Sequence, residues 1–214
     1  GAAHAGCLSF EMSSGVQQIV VNAGVDTFGA DEFRPLGRAT AAHSTATIGD
    51  TSSARFHHPQ RVTDVLGAPL VGGPGVIDCV RQDGSDRQSF VAGHDGYVRR
   101  FGIYHERRLV LSQGGNVLDG IDRMVGRDFP AEAPVAIRFH LHPDVLVSQD
   151  SAGRRVLTAG SESWTFSSDP VVPRLEDTLF FATQSGARRS RQLVLAFEVP
   201  RVAEVHWRFT RHTS

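Results

Sequence analysis

Gly102-Ile103-Tyr104-His105-Glu106-Arg107-Arg108-Leu109-Val110-Leu111-Ser112, then Gln113-Gly114-Gly115-Asn116, then Val117 to Val125, decides the fold. Two runs suited to extended chain flank four residues that supply turn conformations, so the segment reads as a β-hairpin. The pattern repeats upstream. Val76 to Gln82 is followed by Asp83-Gly84-Ser85-Asp86 and then by Gln88 to Ala92, a second hairpin of the same design. Near the start, Leu8, Phe10 and Met12 alternate with Cys7, Ser9 and Glu11, Ser13-Ser14-Gly15 turns the chain, and Gln17 to Val21 returns.

Further strands are expected at Val135 to His142, Val145 to Gln149, Arg155 to Thr158, Ser163 to Ser167, Thr178 to Ala182, Gln192 to Val199 and Ala203 to Arg211. Gly, Pro, Asp and Ser space them. Only Asp31 to Ala42 has room for a helix, and Pro35 with Gly37 limits it to one short turn. About fifteen short strands in one open sheet would curl or split, so the expected fold is all-β, a large two-sheet antiparallel β-sandwich with little helix. The 214 residues suit one domain, 1–214, and show neither internal repeats nor low-complexity tracts.

Twenty-two basic residues against 23 acidic ones leave a formal charge of -1, without the basic footprint of a nucleic-acid binder. A mean hydropathy of -0.18 and the absence of a long apolar run give no membrane span. Cys7 and Cys79 are too few for a disulfide framework and form no C-x-x-C pair. No G-x-S-x-G, Walker loop, GxGxxG or H-E-x-x-H pattern occurs, so the hydrolase-elbow, nucleotide and zincin readings lack support. Gly-Ala-Ala-His-Ala-Gly at the start has neither the basic nor the apolar region of a signal peptide, and the chain reads as the later part of a longer protein.

Candidate chemistry rests on the ten histidines. His140 and His142 in Arg138-Phe139-His140-Leu141-His142-Pro143 share one strand face, which is metal-ligand spacing, or they are polar outer-face residues at a strand end. His94 and His105 flank Tyr97 and Tyr104 among several arginines. Such a set suits carbohydrate, because Tyr stacks on sugar faces, Arg pairs bidentately with uronate or sulfate, and Tyr or His moves a proton. The alternative is a hairpin with a well-anchored Tyr. His57-His58 before Pro59, His206 and His212 read as surface residues.

The ordered series His4-Ala5-Gly6-Cys7-Leu8-Ser9-Phe10, Ile19-Val20-Val21-Asn22-Ala23-Gly24 and Arg38-Ala39-Thr40-Ala41-Ala42-His43-Ser44-Thr45 resembles the C-terminal domain of heparinase II/III-like proteins. His94-Asp95-Gly96-Tyr97, His105-Glu106-Arg107, Gly120-Ile121-Asp122 and Phe139-His140-Leu141-His142-Pro143 continue the match over nearly the whole chain. The resemblance implies an upstream α-helical toroid, a bacterial polysaccharide lyase cleaving uronic-acid polymers by β-elimination, and export to the periplasm or beyond. It places a zinc ion at His4, Asn22 and His43; the candidate contacts for an acidic polysaccharide are His94, Tyr97 and His105 of the Tyr–His–Arg set, with Arg38. The sequence also departs from that pattern. Ala2-Ala3-His4 replaces a His-x-His pair, Asn22 replaces an Asp, and Phe28 replaces a Tyr linked to catalysis.

Two functions follow as expectations. In one, the sandwich closes the substrate cleft of a polysaccharide lyase whose toroid supplies the main acid and base, this fragment alone being inactive. In the other, it is a non-catalytic carbohydrate-recognition or packing module with structural histidines, a version that Asn22 and Phe28 favour.

Overall fold

The computed structural model describes residues 3–25, 34–57, 69–126, 133–183 and 186–212. Its first hairpin joins β1 (Met12–Ser14) to β2 (Gln17–Val21), with Ser14 opposite Gln17 across Gly15-Val16. Gly15 has φ 57°, the left-handed value that a two-residue hairpin turn requires. Helix α1 (Arg34–Arg38) and a 3-10 turn (Thr40–Ala42) lead to β3 (Ala46–Ile48), β4 (Arg55–Phe56) and β5 (Leu70–Gly72). Two long hairpin arms follow: β6 (Ile77–Asp83) with β7 (Arg87–Tyr97), then helix α2 (Val98–Phe101), then β8 (Ile103–Ser112) with β9 (Val117–Val125). β10 (Ala133–Leu141), β11 (Leu146–Gln149), β12 (Arg155–Ala159), β13 (Glu162–Asp169), β14 (Arg174–Phe180), β15 (Arg188–Val199) and β16 (Glu204–Arg211) complete the described strands.

These strands make two main antiparallel sheets. Six strands run β1-β2-β10-β15-β14 with β3 also on β10, and eight run β11-β12-β13-β16-β9-β8-β7-β6; β4 and β5 pair separately. The core lies between the sheets. Phe139 of β10 meets Phe166 of β13 at 5.1 Å and Trp207 of β16 at 4.9 Å between ring centroids, so aromatic side chains join one sheet to the other. Each such pair contributes roughly 0.5–1.5 kcal/mol beyond the area it buries. Ile137, Leu193, Leu195 and Phe209 close the layer around them, all fully buried.

The all-β two-sheet sandwich is the architecture found, and the strand edges at Val117 and Val125 coincide with those expected. Three short strands were not expected. Ala46–Ile48 is buried at every position and so shows no alternation, while β4 and β5 span two and three residues. Helix α2 was also not expected; a single turn closed by Gly102 at φ 67° fits inside the connection between β7 and β8. Asp31 to Ala42 holds α1 and the 3-10 turn in its described part.

Two features of the topology set the site. Val21 at the end of β2 pairs with His140 of β10, and Ala46 of β3 pairs with Ile137 of the same strand. Asn22 and His43, each just outside one of those pairings, are thereby carried to the same end of the six-stranded sheet.

Candidate functional site

His4 Nδ1 lies 3.1 Å from His43 Nε2, although 39 residues separate them. His43 Nδ1–H donates to the Ala39 carbonyl at 2.8 Å, which leaves Nε2 as the acceptor for His4 Nδ1–H. Burial lowers the pKa of both imidazoles, with Arg38 adding to the effect at His4, so the pair is neutral at neutral pH. Gly6 is required here: a Cβ would come within 2.5 Å of the His43 ring. His43 is buried and His4 exposed, at a shallow cavity of about 400 Å³ that Cys7 and Ser9 also line.

Asn22 reaches the same place through its neighbour. Its Oδ1 accepts the Ser44 N–H at 2.9 Å, and its Nδ2 donates to Glu11 Oε1 at 3.0 Å. Both ends of the amide are therefore engaged by protein. Two oriented nitrogens and an occupied amide oxygen do not make the cage of three or four ligands that zinc takes in proteins. Among the described residues no group of three His, Cys, Asp or Glu side chains converges for a metal. The zinc-ligand set His4, Asn22 and His43 is thus brought together as a hydrogen-bonded cluster whose donor atoms do not fit the ion as they stand. Ala2 and Phe28, the other two departures, lie outside the described residues.

The second cluster is interior. His105 and Arg107 follow Ile103 on the inward face of β8, and Arg107 pairs in register with Asp122 of β9. Asp122 Oδ1 accepts from His105 Nε2 at 2.7 Å and Arg107 Nε at 2.8 Å; its Oδ2 accepts from Arg107 Nη2 at 3.1 Å and Trp207 Nε1 at 2.8 Å. All four residues are at most 2% exposed, so solvent supplies no alternative partner. Burial alone would raise the Asp122 pKa, but the Arg107 charge and the His105 bond hold it well below the usual carboxylate range. Gly120 permits the arrangement, because Trp207 lies opposite it and its indole occupies the space a Cβ would need.

Arg107 also ties the network to the first cluster. Its Nη1 donates to the carbonyls of Leu8 at 2.9 Å and Ser44 at 2.8 Å, one residue beyond His43. The His94 ring stands edge-on to His105 at 5.4 Å, its Nδ1 accepting the Gly96 N–H at 3.1 Å. Burial pushes the His94 pKa down to about 3. Tyr97, 1% exposed, donates its hydroxyl to the Ala46 carbonyl at 3.0 Å. His94, Tyr97 and His105 therefore face the core, and the ring face expected to stack on sugar is covered.

Arg38 is placed elsewhere, beside the His4 cluster: its Nε donates to the Ala3 carbonyl at 2.9 Å and its guanidinium lies 4.5 Å over Phe56. His140 and His142 engage different protein partners. His140 is buried, donates Nε2–H to the Ala41 carbonyl at 2.9 Å and has its pKa pushed down to about 4 by burial. His142 Nδ1 instead accepts the Asp144 N–H at 3.3 Å. His212 bonds Thr165 and His206 bonds Glu204, while His57 is exposed and His58 lies outside the described residues.

Asp122, Arg107, Trp207 and Glu11 were not singled out as interacting residues by the sequence reading. For the first two the signal was present: with Gln113–Asn116 as the turn, Ser112 faces Val117 and the antiparallel count sets Arg107 opposite Asp122.

A two-sheet antiparallel sandwich, pinned by a buried His–Asp–Arg–Trp network and carrying paired histidines near its start, is the class of domain these observations define. The chain belongs to the heparinase II/III-like C-terminal family, whose model matches residues 1–208. It is 30% identical over 217 residues to FtsZ-localized protein C of Caulobacter vibrioides, covering 95% of this chain and 36% of that protein. Two structures of heparinase III, one with methylated lysines, superpose with TM-scores of 0.73 and 0.71 at 11% identity. They cover 99% and 98% of this chain and 30% of theirs, and share its fold. The chain spans about a third of the length of these relatives.

Proposed function

We propose that this chain is the C-terminal sandwich of a heparinase II/III-like protein with a helical domain upstream, and that it acts there as a non-catalytic recognition module. The observation that carries this reading is the state of Asn22. A neutral amide stands where the family resemblance expects an anionic ligand, and its oxygen is held by the Ser44 N–H while His4 and His43 bond to each other. The interior placement of His94, Tyr97 and His105 supports it further, since no polysaccharide reaches groups that are at most 1% exposed. The likeness to a protein named for its localisation with FtsZ adds a location to the proposal, in place of the export expected of a typical lyase.

The lyase reading keeps one specific support: two imidazoles held side by side at the mouth of a cavity, one of them exposed. The full-length protein decides between them. It is incubated with alginate, heparin and related uronans, and the unsaturated product of β-elimination is followed by its absorbance. The module reading expects no turnover. Turnover abolished by His43→Ala would establish the lyase. A fluorescent fusion of the full-length protein should coincide with FtsZ in cells, and a distribution independent of FtsZ would remove the location.

A further inference from the structure

We infer that the outer face of the eight-stranded sheet is a binding site for a carboxylate-bearing oligosaccharide, anchored by Arg108. The inference rests on the recognition-module reading and gives it a surface away from His4 and His43. The face is built by register. Asp169, His206, Ile121 and Arg108 are successive neighbours across β13, β16, β9 and β8, and Ser167, Arg208, Asp119 and Val110 form the next row. In the third row Ser112 of β8 faces Arg87 of β7. Side chains two apart on each strand point the same way, so the three rows share one outward surface while Trp207 and Asp122 point to the core.

These rows enclose an open cavity of about 630 Å³, within the size range of small-ligand sites. Its charges are unequally committed. Arg208 Nε is paired with Asp119 Oδ1 at 2.5 Å, whereas Arg108 and Arg87 form no ion pair among the described residues. Arg108 is half-buried, and its Nε is shielded from solvent without a hydrogen-bond partner in the protein. The half-buried guanidinium thus carries a charge that no carboxylate among the described residues balances, and a ligand carboxylate meeting its open end supplies that partner.

The remaining groups decide the ligand class. Ser112 and Ser167 offer hydroxyls, and the Asp169 carboxylate, without an ion-pair partner among the described residues, accepts from hydroxyl donors. A surface mixing free guanidinium, hydroxyl and free carboxylate matches a chain of rings that each carry several hydroxyls and at most one carboxylate. An acidic peptide, by contrast, would set its own carboxylates against Asp169 and Asp119. Four residues along one strand and one strand across put the Arg108 and Arg87 Cα atoms roughly 14 Å apart, which calls for more than one ring.

The test is calorimetric titration of this chain with a trisaccharide of hexuronate, its carboxyl-reduced counterpart and a hexapeptide of glutamate. Arg108→Gln should weaken the trisaccharide by about 10- to 100-fold, the loss of a hydrogen-bonded charge pair. Arg189→Gln, an exposed charge on the other sheet, should leave the affinity unchanged, and the reduced sugar should bind as weakly as the trisaccharide does to Arg108→Gln. Circular dichroism confirms that each variant is folded. No saturable binding of the trisaccharide overturns the inference. Equal binding of the glutamate peptide overturns the ligand class. Binding lost in His43→Ala but kept in Arg108→Gln overturns the site while leaving sugar recognition by the module intact.

Discussion

The Asp122 network and the His4–Asn22–His43 cluster are both made of groups able to do chemistry, and they differ in what those groups have left to offer. Asp122 accepts four hydrogen bonds inside the core from His105, Arg107 and Trp207. His4 and His43 stand at a surface cavity, with neutral rings turned towards each other. A buried carboxylate with every lone pair engaged has a structural task; at the exposed His4 one ring nitrogen is spent on His43 and the other, Nε2, faces outward. Exposure, rather than residue type, separates the two regions.

Removing the negative centre of the first region gives the largest effect. Asp122→Asn leaves the Arg107 guanidinium buried beside a neutral amide and should cost about 3–5 kcal/mol in chemical denaturation. Because Arg107 also holds Leu8 and Ser44, the same substitution should loosen the His43 segment, seen as faster amide hydrogen exchange at Ser44. A loss under about 1 kcal/mol would mean that the network is not a structural tie.

Smaller per pH unit is the response to acid. His94 and His140 have folded pKa values of about 3 and about 4 against an unfolded value of 6.5. A depressed histidine pKa means that the unfolded chain takes up the proton first, so stability is full above pH 6.5 and falls as pH drops towards the folded values. Each histidine removes about 1.4 kcal/mol per pH unit in that window. Asp122 acts at lower pH: its depressed pKa stabilises the fold above the unfolded value of 3.8 and is lost below it. Denaturation between pH 7 and pH 4 should show the histidine slope, and His94→Gln should flatten it.

Tyr97→Phe marks the smaller end. It deletes one buried hydroxyl that donates to Ala46, and should destabilise by about 0.5–1.5 kcal/mol. Sugar affinity at the outer face should not change, since the ring is enclosed.

The sandwich was legible because its strands alternate and its turns carry Gly, Asn and Asp; Val117 to Val125 could be bounded from sequence alone. Ala46–Ile48, buried on both sides, has no period to read. At the candidate site composition misled. His94, Tyr97 and His105 were grouped as sugar contacts because a cluster of Tyr, His and Arg has the same composition whether it faces solvent or core. The strand period held the answer, since His105 and Arg107 share the face of Ile103, an evident core residue. What no local pattern revealed is the engagement of Asn22, which depends on Glu11 and Ser44 arriving from two other segments.

The most direct test of the comparison is zinc titration of the native chain beside Asn22→Asp, with binding read by a competing chromophoric chelator. If the His4–Asn22–His43 cluster is closed by its own hydrogen bonds, the native chain binds zinc weakly and Asn22→Asp, by facing the dication with a formal charge, tightens it by about tenfold or more. Tight one-to-one binding by the native chain, unchanged in Asn22→Asp and lost in His43→Ala, would show that the site is complete as it stands and would contradict the account.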